Sequence, residues 1–209
     1  HIPFCKQACN YCDFHFSTSM KMKFDFVQAI IQEIELRKDV FANEFISSVY
    51  FGGGTPSLLS KQDLDTIFEK LYKSFKIDAD AEITLEANPD DLNFDKILQL
   101  KDTPINRLSI GVQSFRDEDL KYMNRAHTAI EALNSIKVAQ DLGFQNITID
   151  LIYGTPGMSN EDWKYNLRKS FELNIPHISS YALTVEEKTP LYYQILKKNI
   201  GPVDEQQSA

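Results

Sequence analysis

Ile46-Ser47-Ser48-Val49-Tyr50-Phe51-Gly52-Gly53-Gly54-Thr55-Pro56 is a short β-rich run that stops at a triple glycine. Three glycines ahead of Thr-Pro make a sharp turn at little steric cost. Ser60 then stands where an N-cap belongs, and Leu64, Ile67, Phe68 and Leu71 recur on one helical face. A strand, a glycine turn and an amphipathic helix in that order make one βα unit.

The same unit repeats in both directions. Upstream, Phe26, Val27, Ile30, Ile31 and Ile34 predict a helix over residues 24–40, with Asp25 near its start. Downstream, strands are expected over 82–87, 107–112, 146–152 and 178–183. Helices are expected over 61–75, 94–100 (capped by Asn93), 117–123, 129–142 (closed by Gly143), 160–173 and 189–198. His1-Ile2-Pro3-Phe4 reads as the tail of one more strand. Strand and helix alternate throughout, which predicts right-handed crossovers and a parallel sheet. Six such units suit a partial (β/α)6-type TIM barrel better than a closed eight-stranded one. A doubly wound sheet is the alternative. With no low-complexity linker, residues 1–209 read as a single α/β domain. Both ends read as cut: the first strand lacks a beginning, and 201–209 fades into polar residues with no packing pattern.

Composition bounds the function. Hydrophobic content of 43% and charged content of 25% are those of an ordinary globular protein. A net charge of −8 argues against a general nucleic-acid or anionic-membrane surface. No apolar run approaches the roughly 18 residues of a membrane helix. Reduced cysteines without an export signal point to the cytoplasm.

All three cysteines lie in one short loop, Cys5-Lys6-Gln7-Ala8-Cys9-Asn10-Tyr11-Cys12. An odd count in a chain that is not cysteine-dense disfavours a disulfide framework. Crowded thiolates bind either an iron–sulfur cluster or zinc. Zinc would need a fourth donor, for which His1 or His15 is the candidate. Three cysteines alone would leave a four-iron cluster with one iron free to bind a substrate. So near the N-terminus, the loop is expected to fray in the absence of metal.

In a parallel barrel, chemistry collects where strands end at the C-terminal mouth. The strand ends here carry the cysteines, Gly52-Gly53-Gly54-Thr55, Glu86 with Asn88, Gln113, Asp150 beside Ile152, and Tyr181-Ala182. A carboxylate inside a strand, as at Glu86 or Asp150, is costly unless something satisfies it. Each has a plainer reading: the glycines as a turn, Glu86 as an ion pair with Arg107 or Arg125, Gln113 as a backbone partner. His127, Trp163 and His177 read as structural.

These residues resemble the radical S-adenosylmethionine superfamily, and most closely its oxygen-independent coproporphyrinogen III oxidase family. The matching stretches are His1–Cys5, Phe51–Ser57, Glu82–Pro89, Arg107–Phe115, Asp150–Gly154 and Ser179–Leu183. The resemblance implies a 4Fe–4S cluster on Cys5, Cys9 and Cys12, with S-adenosylmethionine on the remaining iron. It implies that Gly53, Gly54 and Thr55 receive the methionine amino group, and that Glu86 and Arg125 hold the amino and carboxylate ends. Gln113 and Asp150 would bind the ribose hydroxyls, and Tyr11, Ile152 and Ala182 would pack on the adenine. The chemistry implied is reductive cleavage of the sulfonium to methionine and a 5′-deoxyadenosyl radical. Oxidases of the family carry a further cysteine two residues after the third; Phe14 stands there. That resembles the family's haem chaperone branch, which binds haem and passes it to acceptor proteins such as respiratory enzymes. The implied partners are haem-acceptor proteins and an electron donor. The alternative is decarboxylation of coproporphyrinogen III to protoporphyrinogen IX.

Overall fold

The computed structural model describes residues 1–42 and 44–203, so the polar tail expected over 201–209 lies outside the described residues from 204 onward. Its sheet contains β1 (Phe45–Phe51), β2 (Lys76–Ala87), β3 (Arg107–Gln113), β4 (Ile147–Tyr153) and β5 (His177–Ala182). Their spatial order is their chain order, β1-β2-β3-β4-β5. Every neighbouring pair is parallel. A doubly wound sheet reverses its strand order at a switch point. This sheet has no reversal, so right-handed crossovers place every connecting helix on one face. The other face is left as the interior of a partial barrel.

The strand expected at His1–Phe4 is the main departure. The segment makes isolated parallel bridges, Ile2 with Gly53 and Phe4 with Ser17. Ile2 N–H donates to the Gly52 carbonyl at 2.7 Å, and Gly54 N–H donates to the Ile2 carbonyl at 2.8 Å. Pro3 has no N–H to carry the ladder onward. A second departure is the length of β2. Its first residues, Lys76 and Ile77, pair with Phe45 and Ile46, and the register then shifts before Ser48 meets Glu82. Asp78, Ala79 and Asp80, of low β preference, fall within that shift and have no partner in the β1 register.

Among the described residues seven α-helices accompany the strands: α1 (Lys23–Arg37), α2 (Lys61–Ser74), α3 (Phe94–Lys101), α4 (Asp117–Tyr122), α5 (Ala129–Asp141), α6 (Asn160–Glu172) and α7 (Pro190–Leu196). α1 stops short of residue 40 and gives way to a 3-10 turn, Lys38–Phe41. The caps fall where the sequence puts them. Ser60 accepts from Asp63 N–H in a capping box, Asn93 accepts from Lys96 N–H, and Gly143 follows α5 at φ +92°. His127, Trp163 and His177 have structural partners: His127 Nε2 lies 3.0 Å from the Val112 carbonyl, Trp163 packs on Tyr153, and His177 Nδ1 lies 3.0 Å from Thr148 Oγ1.

The main core lies between the sheet and its helices, where Leu85, Leu108, Ile110, Ile149, Leu64 and Ile136 are fully buried. β3 is buried on both faces, whereas the edge strands β1 and β5 are largely exposed. A smaller cluster of Leu120, Met123, Ile152, Leu183 and Leu191 closes over the strand ends. Leu85→Ala is expected to lower unfolding free energy by about 3 kcal/mol, and Ser60→Ala by about 1 kcal/mol, both read from urea midpoints.

Candidate functional site

The cysteine loop sits at the C-terminal ends of the strands, held by the bridge of Ile2 to Gly53. Its backbone is tied to the turn after α4. Asn10 N–H donates to the Met123 carbonyl at 3.0 Å. Asn10 Nδ2 donates to the Tyr122 carbonyl at 3.0 Å, and Asn124 Nδ2 donates to the Ala8 carbonyl at 2.7 Å. Cys5, Cys9 and Cys12 are free, partly buried thiols. Burial raises the pKa of Cys5 and Cys12, and the neighbouring thiols add to the rise. The three therefore lie within electrostatic reach of one another.

Gly54 is where the loop and β1 come closest. A Cβ there would stand 2.7 Å from the Phe4 carbonyl oxygen and 2.9 Å from Cys5 Sγ. Thr55 Oγ1 lies 3.5 Å from Cys5 Sγ and accepts from Asn88 Nδ2 at 3.2 Å. The triple glycine is thus more than a turn: it admits the cysteine loop.

Glu86 pairs with neither arginine proposed for it. Tyr50 Oη donates to Glu86 Oε1 at 2.8 Å, and Gly53 N–H donates to Oε2 at 3.0 Å. Arg107 goes to a polar layer lower in the barrel, donating to Thr84 Oγ1 at 3.0 Å and Thr148 Oγ1 at 2.5 Å. Arg125 bridges three elements. Its Nη1 reaches Cys9 Sγ at 3.3 Å, and its Nη2 donates to Asn88 Oδ1 at 2.7 Å and the Gly111 carbonyl at 2.8 Å. Its Nε is buried with no hydrogen-bond partner among the described residues. Burial opposes its charge, but Tyr11 and Cys9 beside it outweigh that and raise its pKa.

Gln113 reaches the site through an irregularity. Between Ile110 and Gln113 the β3 register slips against β4, and Gln113 takes φ +65°. A bulge of this kind re-aims a side chain. Gly111 leaves room for it: a Cβ there would lie 3.0 Å from Gln113 Nε2 and 3.3 Å from Arg125 Nη2. Asp150 pairs in register with Ser179 on the open face of the sheet. Burial first, then the Glu86 charge, pushes its pKa up to about 6. Ile152 is buried with Leu183 and Leu191, Tyr11 packs against the same cluster, and Ala182 stands beside Tyr153 across the ladder.

The predicted residues form two groups. Cys5, Cys9, Gly53, Gly54, Thr55, Glu86 and Arg125 are linked by direct contacts, with Gln113 beside Arg125. Asp150, Ile152 and Ala182 line the β4–β5 side. Sequence reading missed Tyr50, Asn124 and Ser179, which are unremarkable as letters and matter through their partners.

The donor set fits an iron–sulfur cluster better than zinc. Among the described residues no three His, Cys, Asp or Glu side chains converge on one ion position. A zinc site needs its donors on one point, whereas a cluster takes each thiolate on a separate iron. His1, one of the two candidates for a fourth zinc ligand with His15, has its Nε2 3.1 Å from the His15 carbonyl. Among the described residues the buried Arg125 Nε has no hydrogen-bond partner, a donor left for a further group.

Two outcomes follow from this geometry. Gly54→Ala should push the loop away from β1 and cost about 1 to 3 kcal/mol, read from thermal melts. Asp150 has a folded pKa above its unfolded value of about 4, so its contribution falls as pH rises from about 4 to about 6. Asp150→Asn should therefore raise Tm by about 3 °C at pH 7.5, with the gain vanishing below pH 4.

Comparison with known proteins agrees with this layout. The family model described as the Radical SAM superfamily matches residues 1–169. The heme chaperone HemW of Escherichia coli is 39% identical over 192 residues, covering 90% of this chain and 50% of that protein. The heme chaperone HemW of Lactococcus lactis is 38% identical, covering 90% of this chain and 49% of that protein. The chain thus spans about half the length of the curated relatives it matches. Among solved structures, the E. coli coproporphyrinogen III oxidase HemN, described as a radical SAM enzyme, superposes with a TM-score of 0.84. It is 30% identical and covers 99% of this chain and 46% of that one. A partial parallel barrel, a three-cysteine loop at its mouth and this family match together place the chain in the radical SAM superfamily, whose members imply a 4Fe–4S cluster and S-adenosylmethionine.

Proposed function

We propose that this chain is the cluster- and S-adenosylmethionine-binding core of a haem chaperone, acting in the cytoplasm and passing haem to acceptor proteins. One observation carries the reading: curated relatives at 38% and 39% identity across 90% of the chain are named heme chaperone HemW. Phe14 supports it, standing exposed where the resembling oxidases carry a further cysteine.

In this reading Cys5, Cys9 and Cys12 hold the cluster. Gly53, Gly54, Thr55, Glu86 and Arg125 receive the methionine end of S-adenosylmethionine. Gln113 and Asp150 bind the ribose, and Tyr11, Ile152 and Ala182 flank the adenine. When bound, the cluster and S-adenosylmethionine supply one-electron cleavage at a sulfonium. The chain's own part is positioning. Tyr50 and Gly53 N–H fix both oxygens of Glu86, so a cationic amine meets an oriented carboxylate. Arg125 sets positive charge beside Cys9, one of the three proposed ligands. Asp150, held up to about 6 by burial and Glu86, regains acceptor strength when a ribose hydroxyl donates to it.

The likeness to HemN supports a second reading, oxygen-independent oxidation of coproporphyrinogen III. One experiment separates the two. The intact protein is reconstituted anaerobically, titrated with haem, and assayed on coproporphyrinogen with reductant and S-adenosylmethionine. The expected result is on the order of four irons per chain, saturable haem binding and no vinyl-bearing product. Turnover to protoporphyrinogen would replace the chaperone reading with the oxidase. Zinc without iron or sulfide would overturn both.

A further inference from the structure

The three cysteines are separated by residues that do not bind metal, and these are unusually well occupied. Lys6 Nζ donates to Asp90 Oδ2 at 2.9 Å and pairs with Asp91, which also accepts from Ser57 Oγ at 2.6 Å. Gln7 Nε2 donates to the Asn124 carbonyl at 2.8 Å and to Asn124 Oδ1 at 3.1 Å. Asn124 Nδ2 returns a bond to the Ala8 carbonyl at 2.7 Å. Asn10 is tied through its N–H to Met123, through its side chain to Tyr122, and through its carbonyl to Leu191 N–H at 2.8 Å. Every residue from Lys6 to Asn10 that is not a ligand is therefore bonded to the barrel mouth, Gln7 and Ala8 both to Asn124.

We propose that Lys6 and Asn124 are positioning residues that hold the cysteine loop in its ligand-ready shape before any metal arrives. The inference rests on the reading of Cys5, Cys9 and Cys12 as cluster ligands. A loop that carries three ligands loses chain entropy when metal orders it. A loop already folded has less to lose, and binds its group more readily for that reason. The two anchors grip from opposite sides. Lys6 reaches the turn after β2, where Asp91 is almost wholly buried and Asp90 nearly so. Asn124 reaches from the turn after α4, and its φ of +54° aims its amide at the loop. Asparagine accepts that conformation more readily than most side chains. The same turn delivers Arg125 to Cys9, so one short segment holds the loop backbone and places a cation beside a ligand.

The test uses the intact protein in its metal-free, reduced form. Alkylation of Cys5, Cys9 and Cys12 by iodoacetamide is followed by peptide mass spectrometry. Wild type is compared with Lys6→Met, Lys6→Arg, Asn124→Gly and the double variant Lys6→Met/Asn124→Gly. Glycine keeps the left-handed turn while removing the amide. Lys6→Met is expected to speed alkylation about threefold, since its ion pair is half-exposed. Asn124→Gly is expected to speed it about tenfold, with two side-chain bonds lost. Lys6→Arg should stay near wild type, added salt should mimic Lys6→Met, and Tm should hold within about 2 °C. Iron and sulfide uptake should slow in the same order. Unchanged alkylation in the double variant would overturn the proposal, as would a rise that tracks a fall in Tm. A wild type that takes up no iron and sulfide would instead sink the cluster reading, and the alkylation rates would still decide whether the loop is held.

Discussion

The guanidinium of Arg125 is the constraint on which the mouth of this barrel depends. It joins Cys9 of the N-terminal loop, Asn88 after β2 and the Gly111 carbonyl at the β3 bulge. Those groups come from three separate parts of the chain, and each is satisfied by the same planar fork. Burial makes the arrangement consequential. A desolvated cation must be paired, so its partners are fixed as firmly as it is. Asn88 passes the constraint on to Thr55, and Thr55 to Cys5. A chain of short polar contacts therefore runs from one cysteine to another through the ends of the strands.

Beneath it the sheet supplies rigidity. β3 is buried on both faces, and its neighbours β2 and β4 hold it in parallel register. The bulge between Ile110 and Gln113 is the one place where that strand yields, and it lies directly under the site. A regular ladder would have turned Gln113 to the opposite face, since one residue of slip inverts every side chain beyond it. The irregularity is thus part of the site rather than a flaw in the sheet.

The open face is polar. Glu86, Ser109, Thr148 and His177 lie in register across β2 to β5, with Tyr50 and Asp150 near them. Such a face is stable only because its groups satisfy one another, as Tyr50 does Glu86 and Arg107 does the two threonines. It also keeps two carboxylates close enough to raise one of them, which is the state a donor ligand relieves.

Much of this was legible in the sequence. Helix caps at Ser60 and Asn93, strand cores of β-branched residues and the alternation of the two determined the fold class, because those signals act over a few residues. The cysteine spacing and the glycine run determined the kind of site, because soft ligands and bare backbone have few other uses. What the sequence could not determine was partnership. Glu86 was open to two arginines and took neither, because a tyrosine on the neighbouring strand, two residues off its register, and a glycine N–H reach it first. The first strand reduced to two isolated bridges on either side of Pro3, and β2 begins earlier than expected because Lys76 and Ile77 pair with Phe45 and Ile46. Lys6, Asn124 and Ser179 carry no local mark at all. Their roles come from contacts between residues far apart along the chain, and only the folded backbone brings those residues together.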